Sequence, residues 1–194
     1  MAARRFSQAI SEGDGISVLV EVHDVESARA AEAQRAEAIV LRSVIDGIRE
    51  ATELPMLWRA HGPFAAAARV GADACLLVVA DHEDDGELER LQAEASELGL
   101  DCVVEVHNEE ELELALERLD PEIFLLTRAA DDEEDSLDRA LELLPDVPAG
   151  KLAVAEVPVS TRDQVDELER AGVDAVIVGA GNIAELVGQL PPQV

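Results

Sequence analysis

Lysine is almost missing from this sequence of 194 residues: Lys151 stands alone, and the other 14 of its 15 basic residues are arginine. Aromatic residues are nearly as scarce, with no Tyr, one Trp and three Phe. A core can therefore be built only from Ala, Val, Leu and Ile, in line with a hydrophobic content of 48%. The two cysteines, Cys75 and Cys102, lie in apolar runs without paired spacing. That excludes a disulfide framework and reads as two small buried hydrophobes. No apolar run approaches the roughly 20 residues that span a bilayer, so no membrane association is expected. No basic stripe exists to neutralise phosphates, and nucleic-acid binding is not expected either. The amino-terminal "MAARRFSQAISEGDG" has neither a long apolar stretch nor a cleavage site behind one, and the chain reads as cytoplasmic.

What the chain has in excess is acid. Its 43 acidic residues give a formal net charge of −28. Such self-repulsion opposes compaction in dilute salt and is relieved by counterions. Acid excess with almost no lysine resembles the proteomes of halophiles that keep high salt inside the cell. The apolar content argues against disorder, the other state that high charge favours.

Eight near-continuously apolar runs alternate with amphipathic stretches. They fall at residues 16–22, 38–43, 54–59, 74–80, 101–106, 122–128, 151–157 and 174–179. Runs of that kind suit strands buried on both faces. Between them, "NEEELELALERL" places Leu112, Leu116 and Leu119 on one face and acids on the other. Asp24, Asn108 and Ser160 or Thr161 offer helix caps. Gly71, Gly99 and Gly172 stand where helices stop before the next strand. Strict βα alternation requires parallel strands with right-handed crossovers. A near-repeat chooses between an open sheet and a closed barrel. "VLVEVHDVESARAAEAQ" in the first unit matches "CVVEVHNEEELELALER" in the fifth, the half-turn spacing of a (β/α)8 barrel. The expected organisation is a single compact (β/α)8 (TIM) barrel domain over 1–194. Residues 1–15 form a lead-in, 16–190 the barrel and 191–194 a tail. The length is near the lower limit for that fold, so loops must be short.

The segments "LPMLWRAHG", "ARVGADACLLVVA", "ELGLDCVVEVHNEEELELAL", "LAVAEVPVST" and "ERAGVDAVIVGAGN" resemble, in order, the third to eighth strands of indole-3-glycerol-phosphate synthase. "FSQAISEGDGISVLVEVHD" resembles the entry to its first strand. The resemblance implies a (β/α)8 carbon–carbon lyase of tryptophan biosynthesis. That enzyme closes an indole ring from an anilino-deoxyribulose phosphate with loss of carbon dioxide and water. No cofactor is implied, and the ligand would be small and phosphorylated. The family's Glu-Ile-Lys on strand 1 reads Glu21-Val22-His23 here, and its Arg-Lys-Asp-Phe after strand 3 reads Trp58-Arg59-Ala60-His61. The strand-5 glutamate is kept as Glu105. Asn-Asn-Arg-Asp of strand 6 becomes Leu126-Thr127-Arg128-Ala129, and Ser-Glu-Ser-Gly of strand 7 becomes Ala155-Glu156-Val157-Pro158.

Both lysines are thus replaced. Arg59 keeps the charge but holds its proton too tightly to be a general acid, whereas His23 could donate one from a shorter side chain. Lys151 precedes strand 7, at the rim away from the expected site. By the resemblance, the catalytic set is Glu21, Glu105, Glu156, His23 and Arg59. Arg128, Gly179 and Gly181 would hold the substrate and its phosphate. At strand 7, Pro158 has no N–H to offer an anion. The expected function is a divergent family barrel whose native lyase reaction is weak or lost, still binding a small anionic ligand. The residues themselves leave two alternatives. Residues two apart in a strand share a face, so Glu21, His23, Glu105 and His107 could serve a divalent metal. The same glutamates could equally be structural, paired with Arg42, Arg59 or Arg128 in a non-catalytic, structural or regulatory barrel. His61 and His82 read as solvated loop residues, Trp58 as a packing residue, and "DDEED" (131–135) as a solvated loop.

Overall fold

A computed structural model describes residues 6–12, 15–60, 62–82, 86–128, 136–159, 161–181, 183 and 186. Eight parallel strands close in sequence order into one barrel: β1 (Ser17–Val22), β2 (Ala38–Leu41), β3 (Met56–Trp58), β4 (Ala74–Val78), β5 (Asp101–Val106), β6 (Ile123–Leu126), β7 (Leu152–Glu156) and β8 (Ala175–Val178). Each expected strand is present. β1 and β5, which carry the repeat, stand four strands apart and so face each other across the barrel. The outer helices are α2 (Val25–Ala33), α3 (Ile48–Ala51), α4 (Phe64–Arg69), α5 (Glu87–Glu97), α6 (Glu109–Arg118), α7 (Ser136–Leu143) and α8 (Arg162–Ala171). No helix among the described residues is long and apolar enough to cross a membrane.

The lead-in does more than lead in. Within it, Phe6–Ser11 forms a further helix, α1. Its Phe6 and Ile10 are buried with Leu19, Val40, Leu57, Val103, Leu125, Val154 and Ile177, the inward-facing residues of the strands. α1 therefore plugs the amino-terminal end of the barrel, and its Ser7 N–H donates to Asp101 Oδ2 at 2.9 Å. With so few aromatics, placing one of three phenylalanines there fills space that aliphatic residues leave open.

The turns follow the expected chemistry. Gly71, Gly99 and Gly172 all take positive φ, ending α4, α5 and α8 where a side chain would be strained. In "GADA" and "GVDA" the aspartate two residues later reaches back to the preceding strand. Asp73 Oδ2 accepts the Met56 N–H at 2.9 Å, and Asp174 Oδ2 accepts that of Ala153 at 2.8 Å. Burial pushes both carboxyls above their usual range, although these hydrogen bonds oppose it. Lys151 binds Asp120 at 2.6 Å, on the amino-terminal side of the barrel as expected. Cys75 and Cys102 are register partners on β4 and β5, without a disulfide; the first is buried, the second half-buried. A hydrogen bond with Cys102, together with burial, pushes the Cys75 thiol upward. Trp58, the last residue of β3, is buried in the apolar layer that includes helix residues such as Phe64 and Leu88, its Nε1 without a hydrogen-bond partner.

Candidate functional site at the barrel mouth

Above the amino-terminal end, where Ser17 and Asp101 meet α1, the inward-facing line of the strands is apolar until the carboxyl end. Two residues beyond Leu19, Val40, Leu57, Val103, Leu125 and Val154, on the same face, come Glu21, Arg42, Arg59, Glu105, Thr127 and Glu156. A polar layer therefore lies over an aliphatic one, at the end where barrel enzymes carry their chemistry.

In that layer, charges alternate along a continuous chain. Arg42 Nε donates to Glu21 Oε2 at 2.7 Å, and Arg42 Nη2 to Glu156 Oε1 at 3.0 Å. Arg59 Nη1 donates to that same Glu156 oxygen, and Arg59 Nη2 to Glu105 Oε2 at 3.2 Å. The His107 ring follows, with Nε2 3.0 Å from Glu105 Oε1 and Nδ1 3.1 Å from Glu111 Oε2. Thr127 Oγ1 approaches Glu156 Oε2 at 3.5 Å. The chain starts half-exposed at Arg42 and becomes dry inward: the Arg59 and Glu105 side chains are only 9% and 10% exposed.

Such pairing fixes protonation. Hydrogen bonds to Glu105 and Glu111 push the His107 pKa up to about 10, against the opposing effect of burial, so the ring is a cation at neutral pH. Burial pulls upward on Glu111, but the His107 ring and backbone N–H outweigh it and hold the carboxyl below its usual range. Glu156 behaves alike: burial raises it, Arg59 and Arg42 lower it, and the net shift is down. Burial lowers the Arg59 pKa, but Glu156 and Glu105 raise it more, so its proton is held tighter than usual.

Arg42, Arg59, Glu105, His107, Thr127 and Glu156 line a cavity of about 570 Å3, together with Arg128 and the apolar Phe64, Leu76 and Leu91. Of the residues expected there, Glu105, Glu156, Arg59 and Arg128 are brought together. Glu21 joins them only through Arg42 and does not line the cavity. His23 lies beyond the end of β1, exposed and outside the cavity. The alternative metal set of Glu21, His23, Glu105 and His107 does not converge. Both ring nitrogens of His107 are engaged by carboxylates, and no group of three or more His, Cys, Asp or Glu among the described residues is arranged to hold an ion. Gly179 and Gly181 are exposed, lie outside the cavity lining and need no positive φ. The next described N–H, that of Ile183, is taken by Gly181 O and Gln34 Oε1. His82, expected to be solvated, lines the cavity and lies 3.3 Å from Glu87. His61, Ala129 and the run 131–135 lie outside the described residues. Only two residues separate β1 from α2, so no long segment after strand 1 covers the mouth.

Sequence reasoning treated Arg42 only as a pairing partner and did not single out Glu111. Arg42 was findable by parity, since it continues the inward series Ala38, Val40. Glu111 was findable as the third helical residue after a capping Asn, from which a carboxylate reaches back to the cap.

Comparison with known proteins adds the lineage. The family model for indole-3-glycerol phosphate synthase matches residues 63–185. The indole-3-glycerol phosphate synthase of Alkaliphilus metalliredigens is 30% identical over 217 positions, covering 96% of this chain and 82% of the relative. That alignment is longer than the chain itself, so the relative carries residues this chain lacks. The Variovorax paradoxus enzyme is 42% identical over 110 residues, 57% of this chain and 41% of its own length. The Acidithiobacillus ferrooxidans enzyme is 38% identical over 135 residues, 68% and 51%. With these two the chain shares about half of the relative's length or less. Among solved structures, a mandelate oxidase superimposes with a TM-score of 0.64 over 86% of this chain and 69% of its own, at 13% identity, a likeness of fold alone. By its model match and by its relatives, this tryptophan-biosynthesis type of barrel belongs to the indole-3-glycerol phosphate synthase family.

Proposed function

We propose that this chain is a divergent family member in which the lyase reaction is weak or lost, and whose mouth binds a small anionic ligand. One observation carries the reading: neither replacement for a family lysine can act as the proton donor. His23 is outside the cavity, and Arg59 is pinned between Glu105 and Glu156 with its proton held tighter than usual. A general acid must release its proton near the working pH. Anion binding is supported by the cavity lining, to which Arg42, Arg59, Arg128 and the His107 cation all contribute donors.

The test is indole-ring closure from the anilino-deoxyribulose phosphate in concentrated potassium chloride. Turnover is expected to be absent or barely above background. Restoring lysine at both places (His23→Lys with Arg59→Lys) is expected to raise it. An ordinary family rate from the unaltered chain overturns the proposal. The metal reading gains no support from a mouth whose carboxylates are interleaved with guanidinium groups.

A further inference from the structure

Glu156 is held in an unusual way. Two guanidinium groups from different strands converge on its one oxygen Oε1, and the Thr127 hydroxyl approaches the other. Arg59 carries one of them and is nine-tenths buried. Donors gathered from three strands around a single carboxylate form an oxyanion seat, of the kind arginine pairs make for carboxylates and phosphates. Its present occupant belongs to the protein itself.

We infer that the Arg42–Arg59 pair is the seat for the anionic group of a ligand, and that the Glu156 carboxylate is its internal occupant, displaced when an external oxyanion binds. The inference rests on the reading above that the mouth takes an anionic ligand. Three features support it. Glu156 is the last residue of β7, and its side chain is 27% exposed, so it can swing toward solvent. Each arginine holds a second carboxylate, Arg42 that of Glu21 and Arg59 that of Glu105, so displacement strands neither cation. The seat also opens on the 570 Å3 cavity, whose lining includes Phe64, Leu76 and Leu91 and so gives the body of a ligand an apolar surface. The alternative anion site, the Gly179–Gly181 turn, lies outside that cavity.

Displacement has a signature opposite to that of a binding or catalytic carboxylate: removing Glu156 should strengthen anion binding. The probes are inorganic phosphate and acetate. Each is titrated calorimetrically into the full chain, replacing chloride at constant potassium concentration, because chloride competes for the same seat. Glu156→Gln is expected to bind phosphate roughly tenfold tighter than the unaltered chain, one charge-assisted contact's worth. Arg42→Gln alters a half-exposed side chain and should fold whatever becomes of the Glu156 variant. It is expected to weaken phosphate binding at least tenfold. Tighter phosphate with unchanged acetate assigns the seat to a phosphate ester; the reverse assigns it to a carboxylate. If the unaltered chain binds phosphate but neither variant changes the affinity, the seat is wrong while the anionic-ligand reading stands. If no form binds either anion, that reading falls and the seat with it.

Discussion

The same tripeptide pattern, Glu-Val-His, ends both β1 and β5, yet the two copies have different fates. Glu105 and His107 are enclosed in the polar layer; Glu21 reaches it through one arginine, and His23 is left in solvent. The difference lies four residues beyond each histidine. In the first copy Asp24 caps α2 and the position holds Ser27, whose hydroxyl accepts the His23 and Asp24 N–H groups. In the second copy Asn108 caps α6 and the position holds Glu111, whose carboxylate accepts the His107 N–H at 2.8 Å and binds the ring as well. A hydroxyl satisfies a backbone donor but cannot hold an imidazolium; a carboxylate does both. The strand pattern is thus a poor guide to a histidine's role, and the helix cap behind it a better one.

The largest expected effect of that asymmetry is on stability. Glu105→Ala removes a carboxylate from between Arg59 and His107, leaving one buried guanidinium short of a partner, and should cost about 3–5 kcal/mol. Glu21→Ala removes the partner of a half-exposed arginine that keeps Glu156, and should cost about 1 kcal/mol or less. Denaturant melts of both variants at one fixed salt concentration measure the ratio. Equal costs would mean that the two copies are energetically alike.

Next in size is a pH dependence. The His107 pKa is raised from 6.5 to about 10 in the folded protein. A group that binds its proton more tightly when folded contributes stability in full below its unfolded pKa and loses it as pH rises through the folded one. Stability should therefore fall between about pH 6.5 and 10 by on the order of a few kcal/mol. Chemical melts across that window should show the loss in the unaltered chain and a flat profile in His107→Gln.

Glu111→Ser gives the second copy the first copy's cap residue. The cap hydrogen bond that the backbone N–H at position 111 donates to Asn108 Oδ1 survives, but the Asn108 amide loses its acceptor and the ring one of two carboxylates, so the His107 pKa should drop clearly below its present value. A cost of about 1–2 kcal/mol follows from one charge-assisted bond. Ring-proton NMR titration of His107 reads the shift directly.

Much of this molecule was legible beforehand, and the limits of that legibility have physical causes. The eight strands were readable because parallel strands buried on both faces are unbroken apolar runs, a pattern that needs no partner to be seen. The glycines at 71, 99 and 172 and the caps at Asp24, Asn108 and Thr161 are local chemistry, decided within four residues. α1 was not readable: it spans six residues, and it is the barrel's open end, not its own propensity, that makes a place for Phe6 and Ile10. The candidate site was half legible. The family resemblance named Glu105, Glu156 and Arg59, which the mouth brings together, but strand parity alone does not tell His23 from His107, each one residue past its strand. His23 is exposed, whereas His107 is held in the layer by Glu105 and Glu111. Gly179 and Gly181 came with the family resemblance, and their turn lies outside the cavity lining.

Salt should separate the two copies by the smallest margin, and in a direction that identifies the cause. The net charge of −28 predicts that potassium chloride stabilises the whole fold by screening self-repulsion. A pair such as Arg42–Glu21, with the arginine 48% exposed, is weakened by the same ions. The cost of Glu21→Gln should thus be a few tenths of a kcal/mol in dilute salt and vanish in concentrated salt. Arg59 and Glu105, shielded from solvent, see few of those ions, so the cost of Glu105→Gln should persist as salt is added. Melts of the two variants against the unaltered chain along one salt series would show one difference closing and the other holding. If both closed together, the dry interior of the chain of charges would be open to water after all.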